Sequence, residues 1–334
     1  MLRRDCLKLS ALGALTSLSA SFGTTAWAQA ATQPSHVKGP VRITSTLPSG
    51  SGPDVVARLV ADKLQTRWSM PVVVDPKPGG AGSVAINAMK NGAPNGSSLV
   101  VVDIQHMAIN PLIFKSLSYD PNRDLVPVAL LYKTAFFVTV AADSPFRTFK
   151  DLMAAAANKA RPLSYGSNAI GSPLHLASAR LETALGQEML HVPYKETSQL
   201  YAAVSTGEVD WAYGSIATAG GLARGGRLRF LAVADRARSP AMPDVPTLEE
   251  AGGPRGVDAL TWVALMASRG TPEPVVSEIN AAVNDALAQA DVRERMASFG
   301  FVPGSGPAQV VADLTQNDRR QYAEVLKRVK VSID

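Results

Sequence analysis

The sequence predicts an α/β protein with two lobes, each built on a parallel sheet, facing each other across a ligand cleft. Two observations carry this reading. Short apolar runs alternate with segments of helical spacing, the pattern of a parallel sheet covered on both faces. One junction also occurs twice, once in each half: an extended run, a loop of small residues, then a helix opened by proline. At 334 residues, 46% apolar and 18% charged, the chain has the length and core material for two domains.

The first 28 residues stand apart. "MLRRDCLK" is a short basic start, "LSALGALTSLSASFG" is weakly apolar and rich in small residues, and "AWA" ends at Ala28. This reads as a cleavable export signal with a twin-arginine-like "RRDCLK", cleaved after about Ala28. A membrane anchor needs about 20 strongly apolar residues, and this stretch is too short and too rich in Ser and Thr. Cys6 is the single cysteine and leaves with the signal, so no disulfide or thiolate metal site is expected beyond it. The whole chain carries +5, of which Arg3, Arg4, Lys8 and Asp5 account for +2, leaving about +3. That charge is too mild for nucleic acid, and no Lys/Arg run is interleaved with aromatics.

After a short arm (29–36), "VRITSTL" and "PVVVDPKP" read as strands. Residues 54–68 between them place Val56, Leu59, Val60 and Leu64 at helical spacing. Pro53 suits a first helical position and Asp54 adds an acid to the first turn. "GSVAINAMKN" reads as a helix and "SSLVVVD" as a strand. In the second half, Gly166-Ser167-Asn168-Ala169-Ile170-Gly171 precedes a helix with Ser172 as N-cap, Pro173 first, and Gly186 at its end. "HVPY", "VDWAY" and "LRFLAVAD" supply further strands. "ALTWVALMAS" leads into three helices: "TPEPVVSEINAAVNDALAQ", "DVRERMASFG" and the segment from "GPAQVVADL" onward.

A helix N-terminus exposes unpaired amides and about half a positive charge, so each loop is a candidate anion site. No P-loop string is present. "GAGSVA" matches a dinucleotide pattern but follows its strand too distantly, so it reads as a tight turn opening a helix. There is no G-x-S-x-G elbow, and His36, His106, His175 and His191 lack metal-ligand spacing. No cofactor is expected. Neither small-residue loop contains Lys or Arg, so a carboxylate held there would be met by amides, hydroxyls and helix dipoles. His106, after "VVVDIQ", is the better histidine contact; His175 reads as a helix-start residue. Asp54 reads as a structural acid or a contact, and Asn168 as a left-handed loop residue or a contact. Trp211 and Tyr213 face one way, either into core or into the cleft.

Together these stretches resemble the periplasmic solute-binding proteins of tripartite tricarboxylate transporters, the Bug-type receptors. The resemblance runs from about Val41 onward through "PSGSGPDVVAR", "VVVDPKPGGAGSVA", "AINPLIFKSLSYDPNRDLVPVALL", "SYGSNAIGSPLHLASARLE", "HVPYKETSQ", "GEVDWAYGS" and "GGRLRFLAVADRARSPAMPDVPTLEEAG". It implies a type II-like periplasmic binding protein, its two parallel-sheet lobes joined by crossover strands near Phe137–Ala141 and 259–263. Residues 37–137 plus 259–334 would form the first domain and 138–258 the second. The resemblance places a ligand carboxylate at Pro48, Ser49, Gly50 and Ser51 of the first loop. In the second loop it points to Ser167, Asn168 and Ser172, with His175 in a family position.

Asp54, Gln105, His106, Tyr194, Trp211, Gly214 and Ser215 complete the candidate contacts. Ser51 stands where the family has a second glycine, and "VDWAYGS" lacks the family's Asp-Asn pair. The expected ligand is therefore a di-, tri- or aromatic carboxylic acid rather than an amino acid, with room beside Trp211 and Tyr213. The implied role is a non-enzymatic, monomeric periplasmic receptor delivering its acid to membrane permease subunits. A sensor kinase is the alternative partner. A serine hydrolase is the remote alternative, and it requires a base near Ser49, Ser51 or Ser167.

Overall fold

A computed structural model describes residues 36–334 apart from 159, 330, 332 and 334. The export signal and nearly all of the arm lie outside the described residues. Along the chain the first elements are β1 (Val41–Ser45), α1 (Gly52–Trp68), β2 (Val72–Pro76), α2 (Ser83–Lys90) and β3 (Ser98–Asp103). A wide helical turn, Gln105–Ile109, runs into α3 (Asn110–Ile113), followed by α4 (Pro121–Asp124), β4 (Leu125–Ala135) and β5 (Phe137–Ala141). Then come α5 (Phe149–Ala156), β6 (Ser164–Ser167), α6 (Pro173–Leu185), β7 (Leu190–Pro193), α7 (Thr197–Thr206), β8 (Trp211–Gly214), α8 (Ile216–Arg224) and β9 (Leu228–Val233). The chain closes with β10 (Leu260–Ser268), α9 (Glu273–Ala288), α10 (Ala290–Ala297), β11 (Val302–Pro303) and α11 (Gln309–Val329).

The two sheets have the orders β11-β4-β10-β3-β1-β2 and β7-β6-β8-β5-β9. Each is mixed rather than wholly parallel, which corrects the expectation from sequence. β2, β1 and β3 are parallel in one and β7, β6 and β8 in the other. β10 and β4 join the first sheet antiparallel, and β5 and β9 the second. Helical crossovers make the parallel triplets; the strands that carry the chain between sheets need no crossover helix and enter antiparallel.

Helix α6 starts at Pro173 behind Ser172, as expected, while α1 starts at Gly52, one residue before Pro53. Ser51 caps α1 and Ser172 caps α6, each accepting an amide from the first turn. Gly186 ends α6 in the left-handed conformation (φ 65°). The central strands of the first sheet are buried on both faces. Leu99, Val101 and Leu265 pack with Val60, Leu64 and Val283 of α1 and α9. Val100, Val102 and Met266 pack with Ile86 and Met89 of α2 and Val311 of α11 on the other side. This is the strict alternation of a strand covered twice. The core around the second sheet draws on residues from Phe137 to Ala259.

Two passages of chain join the sheets, and backbone hydrogen bonds stitch them together. Phe136 N donates to Ala259 O (2.9 Å), Ala234 N to Phe136 O (2.8 Å), and Ala259 N to Ala234 O (2.8 Å). One side chain of α6, Leu176, is fully buried not in its own lobe's core but among Ile86, Trp262 and Tyr322 of the other. We expect Leu176→Ala to cost about 2–5 kcal/mol, the range for an unrelaxed core cavity, read from urea unfolding midpoints. A cost below about 1 kcal/mol would mean this contact between lobes contributes little.

Candidate ligand-binding site

The six parallel strands point their carboxyl ends at one place. A cavity of about 500 Å³ lies there, in the position where ligands bind in open α/β sheets. The strand ends supply the walls. Leu47 follows β1, Ala81 follows β2, and Asp103, Gln105 and His106 follow β3. Asn168 follows β6, Thr197 follows β7, and Thr218 follows β8. Apolar surface fills much of the remainder: Ile113, Phe114 and Ile333 from one lobe, Ile170 and Leu174 from the other, and Phe136 at the crossing.

Three helices present their first turns to the cavity: α6 through Ser172, Pro173 and Leu174, α7 through Thr197, and α8 through Thr218. Each first turn contributes about 0.3–1 kcal/mol toward an anion, and more when partly buried. Among the described lining residues there is no Lys or Arg, and the carboxylate present is Asp103. Asp103 Oδ1 accepts from His106 twice, from the ring Nδ1 at 2.5 Å and from the backbone N at 3.3 Å. Thr46 Oγ1 lies 3.4 Å from the same ring nitrogen. The Cδ2 edge of the ring lies against Gly82, held at φ 89°, where a Cβ would overlap it. Asn168 Oδ1 is buried without a hydrogen-bond partner, a cost of about 1–3 kcal/mol that a ligand donor would relieve. Tyr201 donates to Tyr213 O (3.1 Å) and pairs with Thr218 Oγ1 (3.0 Å); burial pushes its phenol up to about 12, so it stays neutral.

Of the residues expected from sequence, the cavity brings together Gln105, His106, Asn168 and Ser172. The first loop does not line it beyond Leu47. Pro48, Ser49 and Gly50 are exposed, and the amides of Gly50 and Ser51 have internal partners. Gly50 N donates to Asp54 Oδ2 (2.9 Å), and Ser51 N and Oγ donate to Pro48 O (3.3 and 2.6 Å). Asp54 is buried and paired with Arg58 at 3.0 Å, a structural acid. Trp211 and Tyr213 are fully buried core. The room expected beside them is filled, because a Cβ on Gly214 would lie 2.8 Å from Ala219 Cβ and 2.9 Å from Thr139 Oγ1. Ser215 caps α8 behind Thr218, and Tyr194 donates outward to Glu208 (3.1 Å).

Behind the second loop, His175 and His191 stack at 3.9 Å and 15°. His175 Nδ1 accepts from Gly171 N (3.0 Å). Ser167 Oγ donates to Ala169 O (2.9 Å), so His191 Nε2, at 2.7 Å, is the donor to Ser167. The hydrolase reading asked for a base near Ser167, and His191 is one. The hydroxyl is nevertheless fully buried, spends its proton on a carbonyl, and does not line the cavity.

Sequence reasoning missed Asp103, Thr197, Tyr201, Thr218 and Ile333. Asp103 ends the "VVVD" run and the threonines open helices, so strand-end and helix-start rules would have found them. Ile333 carries no local signal; it arrives by bonding back to Ile113 and Lys115.

A model of the tripartite tricarboxylate transporter family receptors matches residues 56–331. The chain belongs to this family. The receptor is 30% identical over 293 residues to a protein encoded in the tcbD-tcbE intergenic region of Pseudomonas sp. strain P51, covering 88% of this chain and 87% of that protein. It is 29% identical over 291 residues to BugT of Bordetella pertussis, covering 86% and 88%. Among solved structures, R. palustris Rpa4515 with adipate superposes with a TM-score of 0.78 at 26% identity, covering 88% of this receptor and 98% of that chain. MatC of Rhodopseudomonas palustris with bound malate gives 0.73 at 28%, covering 86% and 98%. The two-lobed α/β architecture is the one those proteins share. Among the described residues no helix is long and apolar enough to cross a membrane.

Burial holds His175 down at about 4, and burial together with the neighbouring His175 does the same to His191. A histidine depressed in the folded state stabilises the fold while neutral, so this contribution is present above about pH 6.5 and is lost as pH falls toward 4. The receptor is expected to lose about 3 kcal/mol through His175 over that window, measured by urea unfolding at pH 7 and 4.5. His175→Gln should reduce the dependence; an unchanged slope would exclude His175 as its source.

Proposed function

We propose that this protein is a non-enzymatic periplasmic receptor that captures a small carboxylate between its lobes and delivers it to a tripartite membrane permease. The observation that carries the reading is the cavity itself: first turns of three helices converge there without a lysine or arginine. Such a site attracts an anion yet holds it by dipoles and hydroxyls, so release stays inexpensive. The adipate in Rpa4515 and the malate in MatC support the ligand class. Ile113, Phe114, Phe136 and Leu174 favour a carbon chain or ring between or beyond the carboxyl groups rather than a compact amino acid. Residues 37–137 with 259–334, and residues 138–258, would act as the two closing bodies. The hydrogen-bonded junction of Phe136, Ala234 and Ala259 is the natural hinge.

The test is a thermal-shift panel on protein unfolded and refolded to strip carried ligand, spanning adipate, malate, citrate, aromatic acids, aspartate and glutamate. A ligand at about a thousand times its dissociation constant adds about 4 kcal/mol, a rise of several degrees. One aliphatic or aromatic acid should stand clear while aspartate and glutamate leave the transition unmoved. A flat panel on natively refolded protein would overturn the carboxylate reading, and preference for aspartate or glutamate would overturn the ligand class.

A further inference from the structure

An anionic ligand entering this cavity meets Asp103 and, among the described lining residues, no permanent cation. Two like charges in a buried site need a compensating positive charge. Imidazole is the one lining side chain that can become positive. We propose that His106 is the receptor's switchable cation, so that a carboxylate binds together with one proton taken up from solvent at His106 Nε2. The inference rests on the carboxylate reading above.

The geometry around His106 is built for this. In the neutral ring Nδ1–H donates to Asp103 Oδ1 at 2.5 Å, leaving the lone pair on Nε2, which makes no hydrogen bond among the described residues. A proton from water or buffer adds to that lone pair. The new N–H then donates to a ligand oxygen, while the Nδ1–Asp103 bond persists in both states. No contact breaks when the ring charges. His175 differs: its Nδ1 accepts the Gly171 amide at 3.0 Å, so protonating that atom destroys a bond. His191 already donates from Nε2 to Ser167. His106 alone of these three lines the cavity.

The ring cannot swing away to avoid the charge. It is buried, bonded through Nδ1, and pressed on Gly82, where a Cβ would stand 2.9 Å from Nε2. The other titratable groups around the pair do not line the cavity. Tyr119, Tyr132 and Tyr322 are raised by burial and stay neutral. Arg319 donates through Nε to Met107 O at 2.9 Å, keeps a buried Nη2 without a hydrogen-bond partner among the described residues, and does not line the cavity, and Asp318 accepts from Trp262 Nε1 at 2.7 Å. Bound ligand and bound proton therefore stabilise each other reciprocally.

The experiment is calorimetric titration with adipate, and with whichever acid of the panel shifts the transition most, in phosphate and in Tris at about pH 8. The difference in heat between buffers counts protons. Net proton uptake on binding is expected, and the dissociation constant should weaken as pH rises. His106→Gln should bind more weakly with no buffer-dependent heat, and Asp103→Asn should take up fewer protons. Circular dichroism shows whether each variant is folded, and the wild-type measurement stands without them. Binding with no proton uptake leaves the carboxylate reading intact and overturns this inference. Uptake that survives in His106→Gln overturns the assignment to His106. No binding of any acid overturns both.

Discussion

The backbone of Phe136 is the constraint on which the molecule is arranged. Its amide bonds to Ala259 and its carbonyl accepts from Ala234, so one residue ties both passages of chain that run between the sheets. Strand polarity does the rest. With β4 leading into β5 and β10 returning from the second lobe, each parallel triplet is oriented with its carboxyl ends toward the other. Loops as distant in sequence as those after β1 and β8 then become walls of one cavity. Two strands make this connection, and Leu176 packs beside it into the opposite core.

Helix starts dominate the site's electrostatics, and formal charge is scarce. The threonine and serine hydroxyls at α6, α7 and α8 sit where backbone amides are unsatisfied by helix geometry. A lysine or arginine in the same cavity would bind an acid more tightly and let go more slowly. The histidines divide the labour by what their nitrogens already hold. His175 and His191 are packed as a stacked, hydrogen-bonded support for the second loop. His106 lines the cavity with Nδ1 held by Asp103.

Much of this architecture is legible in the linear chain because its signals are local. Pro53, Ser172, Pro173 and Gly186 announce helix ends through short-range chemistry, and the structure has ends at or next to them. The continuous apolar run from Leu99 to Val102 marks a strand buried on both faces. The motifs from "PSGSGPDVVAR" onward carry family membership. What was misjudged depends on partners far away. Trp211 and Tyr213 read equally as cleft or core until Ala219 and Thr139 are seen filling the space beside Gly214. The amides of the first loop look bare until Asp54 is seen folding back to take Gly50.

The sequence by itself determined many of the elements, the caps of α6, the twofold recurrence of strand, loop and helix, and the absence of Lys and Arg from the loops. Each of these follows from interactions within a few residues. Only the tertiary structure decided that the sheets are mixed, that Leu176 serves the opposite core, and that Ile333 closes a cavity begun at Leu47. It also decided that His106 lies against Gly82, twenty-four positions earlier. Those outcomes depend on which surfaces meet when two lobes are tied at a single crossing, and side-chain periodicity along one strand or helix carries no information about the surface it will meet.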